Sequence, residues 1–343
     1  MSMRSIADEL ELDERLSRPP EYLLEKLSSF PGDTLVLGAG GKMGPSMVRM
    51  LVRACQRCGD SRRITAVSRF STPGLEHSLN QLGVCTLACD LLQDGAVDEL
   101  PDAPNIIYMT GMKFGTNDRA SMTWAMNTYL PTTVCRRYRA SRILAFSTGN
   151  VYPLVSNTGS WSVENDQLGP VGEYAMSAVG RERMIQYFSE EFSTPAVLIR
   201  LNYAVEMRYG VLVDIGQRVK LGQPIDLSVG YANVIWQGDA NAMSLASLAL
   251  ADTPAAVLNV AGPELVCVKT VAQRFGSYFG VAPTFVGEAQ PTALLNNASR
   301  AHKMYGEPMV KLDELIELTA DWLTRGQPTL AKPTQFQVRS GQF

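Results

Sequence analysis

The segment Gly38-Ala39-Gly40-Gly41-Lys42-Met43-Gly44 follows an apolar run, Leu35-Val36-Leu37, and opens a stretch with helical apolar spacing. Glycine at these places lets the chain turn tightly and lets a pyrophosphate approach the N–H groups at a helix start. A strand before it and a helix after it make the glycine spacing informative, so Gly38, Gly41, Lys42, Met43 and Gly44 are candidate phosphate-binding residues. The alternative is a glycine-rich turn without a ligand. A second apolar run, Ile64 to Val67, ends on Ser68-Arg69. A bare ribose 2′-hydroxyl calls for a carboxylate there, whereas a hydroxyl followed by a guanidinium suits a 2′-phosphate. NADP is therefore favoured over NAD, with NAD possible and Arg69 as a solvated surface charge the competing reading.

These residues need a scaffold. From Thr34 onward apolar runs alternate with amphipathic segments: after the two runs above come Val84 to Ala88, Asn105 to Met109, a helix over Ser121 to Tyr138, and Ile143 to Phe146. That alternation predicts an α/β fold, a Rossmann-type doubly wound parallel sheet. Beyond a further strand at Ala196 to Arg200 the elements become shorter and irregular, which fits a smaller C-terminal substrate-binding lobe. The expected organisation is a helical N-terminal leader (1–32), an NAD(P)-binding Rossmann domain (33–200), a substrate-binding lobe (201–325, with segments that can return to the sheet) and a C-terminal tail (326–343) that either wanders or docks.

The chain resembles the NAD-dependent epimerase/dehydratase family, the extended short-chain dehydrogenases, from about Thr34 to Leu323. The spacing Gly38-x-x-Gly41-x-x-Gly44 is similar to that of extended members, and Asp90-Leu91 resembles their acidic-apolar pair beside adenine. Met109-Thr110-Gly111-Met112-Lys113 resembles the loop after the fourth strand, where galactose epimerases carry a Lys near the phosphates. Asn127 falls where the family places an Asn in the next helix. Phe146-Ser147-Thr148-Gly149-Asn150-Val151-Tyr152 resembles the fifth-strand motif, which implies Thr148 as the catalytic hydroxyl. Tyr174, 26 residues further on, stands at the family's separation for the catalytic acid/base. Asn150 and Asn202 are the implied substrate contacts, Asn202 one residue earlier than the family's Asn. A strand-end hydroxyl bonded to backbone is the alternative for Thr148, and a helix-capping aromatic for Tyr174.

Three departures shape the functional expectation. The family's Tyr-x-x-x-Lys is Tyr174-x-x-x-Ala178 here. Residues at i and i+4 share a helix face, and in relatives that Lys holds the nicotinamide ribose and lowers the tyrosine's pKa; Ala178 supplies no charge. Arg181, two turns along the same face, is the candidate substitute charge, but it lies about 10 Å away along the axis, so a helix-surface ion pair is its expected role. The dehydratase branch carries Asp-Glu where this chain has Gly149 and Asn150, which disfavours water elimination. No Lys or Arg occurs from Leu221 to Thr253, so the cationic clamp that nucleotide-sugar members use looks absent, with Arg208, Arg218 and Lys220 the remaining candidates. The expectation is an NAD(P)-dependent oxidoreductase or epimerase acting on a small polar hydroxy/carbonyl substrate such as a sugar or sugar acid. A non-catalytic NAD(P)-binding sensor or scaffold is the rival.

Composition bounds the rest. With 343 residues, 45% hydrophobic and 19% charged, the chain can bury a full core. A net charge of −3 without a basic stripe argues against nucleic acid. No run reaches the ~18 apolar residues of a spanning helix, so no membrane partner and a cytoplasmic location are expected. The six cysteines are scattered and read as reduced thiols, Cys55, Cys58, Cys85 and Cys89 making a poor zinc set. His77 and His302 are each isolated, and no metal is expected. The resemblance further implies a homodimer through the helices Ser121 to Tyr138 and Tyr174 to Phe192, the latter presenting Ala175, Ala178, Met184 and Tyr187.

Overall fold

The computed structural model describes residues 5–116, 118–332 and 334–342. The first four residues of the leader, and Pro333 and Phe343 of the tail, lie outside the described residues.

Five apolar runs form the strands β1 (Thr34–Leu37), β2 (Ile64–Ser68), β3 (Cys85–Ala88), β4 (Asn105–Tyr108) and β5 (Arg142–Thr148). Two later strands, Ala196–Leu201 and Ala256–Val260, complete one seven-stranded sheet. Its order is 256–260, 196–201, β5, β4, β1, β2, β3, and every pairing is parallel. Both faces are covered, which is why β1 and β4 are buried at every residue and, after Thr34 and Asn105 at their starts, carry only aliphatic or aromatic side chains. The strand order reverses between β1 and β4. The cleft beyond the carboxyl ends of those two strands is where a doubly wound sheet takes its ligand.

The helices are α1 (Glu9–Leu16), α2 (Glu21–Leu27), α3 (Gly44–Cys58), α4 (Leu75–Asn80), α5 (Ala120–Trp124), α6 (Leu130–Arg137), α7 (Gly172–Phe192), α8 (Val211–Lys220), α9 (Gln237–Ala246), α10 (Val268–Phe279), α11 (Ser299–Tyr305) and α12 (Leu312–Thr324). A single π turn, Ala125–Tyr129, joins α5 to α6. Strand alternation divides the core into two layers. Val36 faces α2, α3 and α9, while Leu35 and Leu37 face α6 and α7. A third cluster, inside the second lobe, packs α8, α10 and α12 around Phe275 and Trp322.

The leader belongs to both halves. Ile6, Leu12 and Leu16 enter the core of the second lobe, and Leu23, Leu27 and Phe30 enter the layer beside α3. Asp8 caps α1 by accepting the Glu11 N–H at 2.9 Å, the N-terminal device expected of an acidic cap. The tail docks: Trp322 donates to the Pro328 carbonyl at 2.9 Å, the Leu330 N–H donates to the Arg208 carbonyl at 2.9 Å, and Phe336 is buried in the lobe core. No helix among the described residues is long and apolar enough to cross a membrane.

Candidate active site

The glycine loop leaves β1 with Gly38 at φ +89°, where a Cβ would come within 2.9 Å of the Thr110 backbone nitrogen. Only glycine takes that conformation without strain. A Cβ on Gly44 would stand 2.2 Å from the Ala39 carbonyl oxygen, so the helix start could not pack against the loop. Beside this cradle the Thr110 hydroxyl is buried without a hydrogen-bond partner among the described residues. Open backbone at a helix start together with an orphaned hydroxyl fits the diphosphate of a dinucleotide cofactor.

The loop forms one wall of a 280 Å³ cavity. Gly38, Gly41, Lys42, Met43 and Gly44 line it together with Met109, Gly111, Lys113, Thr148, Asn150, Tyr174 and Asn202. Residues from five separate places in the chain therefore converge on one space. Thr148 ends β5, its hydroxyl 3.2 Å from both the Asn150 N–H and the Asn150 side-chain oxygen. The strand-end bonding that was the alternative for Thr148 is thus present, on a residue that also faces the cavity. Tyr174 sits half-buried in the first turn of α7.

Arg181 departs from the expected surface ion pair. It is 6% exposed and donates to the Phe146 carbonyl (2.7 Å), the Asn127 side-chain oxygen (2.7 Å) and the Asn127 carbonyl (3.3 Å). Among the described residues these acceptors are all uncharged, and the guanidinium lines the same cavity as Tyr174. It passes under Gly111, where a Cβ would lie 2.5 Å from an Arg181 nitrogen. Ala178, in the family's Lys position, is fully buried.

Two lysines line the cavity, Lys42 from the glycine loop itself and Lys113 from the loop after β4. Lys42 donates to the Ala204 carbonyl at 2.9 Å and lies 3.8 Å above the Tyr209 ring. Burial of its ammonium lowers the pKa to about 7, against the opposing pull of Glu206. Lys113 donates to the Thr334 carbonyl at 3.4 Å, and burial lowers it to about 8. Burial also raises the carboxyls of Glu206 and Asp214 above their usual range.

Other expected residues lie off the cavity. Asn127 is fully buried and its side chain is engaged on both sides: it accepts from the Met112 N–H (2.8 Å) and Arg181, and donates to the Met112 carbonyl (2.9 Å) and the Ser177 hydroxyl (2.9 Å). It holds the 109–113 loop rather than lining the cavity. Leu91 is buried in the core layer beside α6, and Asp90 accepts the Leu92 N–H at 3.2 Å. Arg69, exposed, shares a separate depression with Asp90 at the ends of β2 and β3. Ser68 fixes the other side of the glycine loop, since a Cβ on Gly40 would meet its hydroxyl at 2.3 Å. Asn202 lines the cavity, but its side-chain nitrogen donates to Asn233 (2.8 Å) and to the Leu294 carbonyl (3.3 Å), tying the sheet end to the second lobe.

Sequence reading missed a buried ion pair behind the site. Arg200 and Glu182 are 4% and 0% exposed at the side chain and meet at 2.8 Å and 3.0 Å. Ser147 donates to Glu182 at 2.5 Å, and Arg200 reaches the Tyr152 hydroxyl at 2.7 Å. This network pins α7 to the end of β5, and so sets Tyr174 relative to Thr148. A charge inside the apolar strand Ala196–Leu201 was the available signal, because a buried Arg requires a partner.

No curated protein matches the chain in sequence. Solved structures share its fold. UDP-glucuronic acid 4-epimerase from Bacillus cereus, in complex with UDP-glucuronic acid and NAD, is 14% identical with a TM-score of 0.69, over 85% of this chain and 99% of that one. UDP-glucose 4-epimerase from Thermotoga maritima, with UDP-glucose, is 14% identical with a TM-score of 0.69, over 86% and 99%. dTDP-glucose 4,6-dehydratase from Bacillus anthracis, in complex with NAD, is 14% identical with a TM-score of 0.70, over 86% and 97%. The family model matches residues 34–205, half of the chain, and with the glycine cradle at the switch point of a seven-stranded parallel sheet it shows that the chain belongs to the NAD dependent epimerase/dehydratase family.

Proposed function

We propose that this chain is an NAD(P)-dependent oxidoreductase or epimerase that acts on a hydroxyl or carbonyl carbon of a small polar compound such as a sugar or sugar acid. The observation that carries this reading is the single cavity shared by the glycine loop, Thr148 and Tyr174. The nicotinamide, when bound, supplies the hydride acceptor and donor. Tyr174 takes the proton from the substrate hydroxyl, and Thr148 hydrogen-bonds the same oxygen. Arg181 supplies the fixed positive charge that the missing lysine would have brought, held by the carbonyls of Phe146 and Asn127. Gly149 and Asn150 provide no carboxylate for water elimination.

NADP is the favoured cofactor. Two of the structural neighbours named above, the Bacillus cereus epimerase and the Bacillus anthracis dehydratase, are complexes with NAD, but in this chain β2 ends on Ser68 and the exposed Arg69 follows, a pair that suits a 2′-phosphate better than a carboxylate would. A homodimer through α5–α6 and α7 is also proposed. Ala175 and Ala178 are buried within the subunit and contribute nothing to such a face, whereas Met122, Trp124, Tyr129, Met176 and Tyr187 on the same helices are exposed.

The test is cofactor reduction by a panel of sugars and sugar acids with the wild type and Tyr174→Phe. The variant is expected to lose turnover while its affinity for NADPH stays nearly unchanged, because the phenol acts in the transition state. Full turnover by Tyr174→Phe would remove Tyr174 from the chemistry. Tight cofactor binding with neither cofactor reduction nor epimerisation of any compound in the panel would favour a sensor.

A further inference from the structure

We propose that the C-terminal tail, residues 334–341, is a built wall of the substrate chamber, which fills the space a nucleotide carrier would need and restricts the enzyme to carrier-free substrates. The proposal rests on the functional reading above and adds to it the element that sets specificity.

The tail crosses the cleft between the start of α7 and the second lobe, and is anchored at three points. At the cavity, Thr334 donates through both its N–H (2.8 Å) and its hydroxyl (2.5 Å) to Asp214, and its carbonyl accepts from Lys113. Midway, Arg339 donates to the Thr292 carbonyl (2.7 Å), the Thr292 hydroxyl (2.6 Å) and the Ser228 carbonyl (3.4 Å). At the far end the tail backbone lies on the backbone that precedes Tyr174. Gly172 (φ +82°) and Gly341 (φ +71°) pack so closely that a Cβ on Gly172 would stand 2.3 Å from the Gly341 oxygen, and one on Gly341 would stand 2.1 Å from the Val171 oxygen. A chance contact does not require glycine on both sides.

The wall leaves little room. Past Asn150 and Tyr203, which line both spaces, lies a 40 Å³ space bounded on one side by Phe336, Val338, Arg339 and Gly341. Sites for drug-sized ligands run to roughly 300–1,000 Å³, so a nucleoside diphosphate does not fit. Charge gives an independent argument. The three cations next to the cleft that could clamp a pyrophosphate are each engaged elsewhere: Arg208 with Glu206, Glu9 and Asp13, Arg218 with the Pro224 carbonyl, and Lys220 with the Leu323 carbonyl. What remains is a chamber bounded by Tyr174, Thr148 and Thr334, sized for a compact hydroxy-carbonyl compound beside the nicotinamide.

The experiment compares the full chain with Arg339→Ala, Gly341→Val and a chain ending at Leu330. The point variants keep Phe336 in the lobe core, so they serve if the shortened chain does not fold, and melting curves verify each protein. Hydrogen exchange without cofactor reads the docking directly: the amides of Gly172 to Tyr174 should exchange several-fold faster in all three variants. With NADPH bound, acrylamide quenching of nicotinamide fluorescence should be weak in the full chain and rise several-fold in the variants. UDP-glucose, the probe for a nucleotide carrier, should not bind the full chain. Unchanged exchange and quenching in folded variants would overturn the wall, and UDP-glucose binding to the full chain would overturn the exclusion. Failure of NADPH to bind at all would instead strike the functional reading and leave the exchange result to decide on the tail.

Discussion

The two sides of the cleft are built by different means. On the cofactor side, each turn follows directly from the strand before it: Gly38 follows β1, Ser68 ends β2, and the 109–113 loop follows β4. On the substrate side, Asn202 is held by Asn233 and Leu294, and Asp214 by Thr334, residues from distant parts of the chain. The first wall is fixed by local chain geometry and the second by long-range polar contacts. In a fold shared at low identity, the chemistry common to relatives sits on the first wall, and selectivity for substrate can change on the second.

The largest expected effect tests how rigid the local wall is. Gly44→Val places a branched side chain where even a Cβ lies 2.2 Å from the Ala39 carbonyl oxygen, so the variant should lose NADPH binding altogether, measured by cofactor fluorescence. Undiminished affinity would mean that the loop is not the phosphate cradle. Behind the site, Glu182→Ala leaves Arg200 buried without its carboxylate. Breaking such a pair costs about 3–5 kcal/mol, to be read from denaturant unfolding, and a loss near zero would show that water replaces Glu182.

Arg181 distinguishes the two walls more finely, because it reaches from α7 to the cofactor loop. Arg181→Met removes donors to Phe146 and Asn127. Hydrogen bonds from a charged group are worth about 1.5–3 kcal/mol net, so melting should fall modestly. If the residue also supplies charge at the nicotinamide, kcat should fall well beyond what the change in KM accounts for, and Arg181→Lys should restore part of it. Loss of stability with kcat intact would reduce Arg181 to a brace. Smaller still is the effect of Arg69→Ala: about tenfold weaker NADPH binding, or about 1.4 kcal/mol, with NADH affinity unchanged. Equal losses for both cofactors would remove the 2′-phosphate assignment.

How much of this was legible followed the same division. The strands β1 to β5, the glycine loop and the place of Thr148 and Tyr174 could be read from sequence because strand, turn and helix signals are local. The helix α8 was not singled out within the irregular stretch after Arg200, although Val211 to Val219 carries apolar residues at helical spacing. The leader's helices were legible, but not that Leu12 and Leu23 enter two different cores. Arg181 could be read as a candidate substitute charge but not as a cavity residue, because its axial separation of about 10 Å from Tyr174 takes no account of a long side chain bringing its charge to a cavity from further along the helix. The tail's path was not legible, because it is set by contacts between distant residues: Thr334 with Asp214, Arg339 with Thr292, and Gly341 with Gly172, 169 residues apart.

The smallest expected effect is a pH dependence, and its sign tests whether Lys42 and Lys113 belong to the phosphate site. Their pKa values in the folded chain are lowered to about 7 and about 8 by burial, from an unperturbed 10.5. Without cofactor the folded chain therefore binds fewer protons at these lysines than the unfolded chain does from about pH 7 to 10.5, so their contribution to stability is unfavourable below pH 7 and recovers as pH rises. A pyrophosphate beside them favours the protonated forms, so cofactor binding should take up protons above about pH 7. Affinity for NADPH should accordingly hold steady below pH 7 and fall several-fold between about pH 7 and pH 9. Calorimetry in buffers of different ionisation enthalpy would measure the proton uptake directly. Lys42→Met and Lys113→Met should each remove part of the uptake and flatten the profile. A profile unchanged by both substitutions would assign the lysines to the second wall alone, where Lys42 would serve only to hold Ala204 and Tyr209 against the glycine loop.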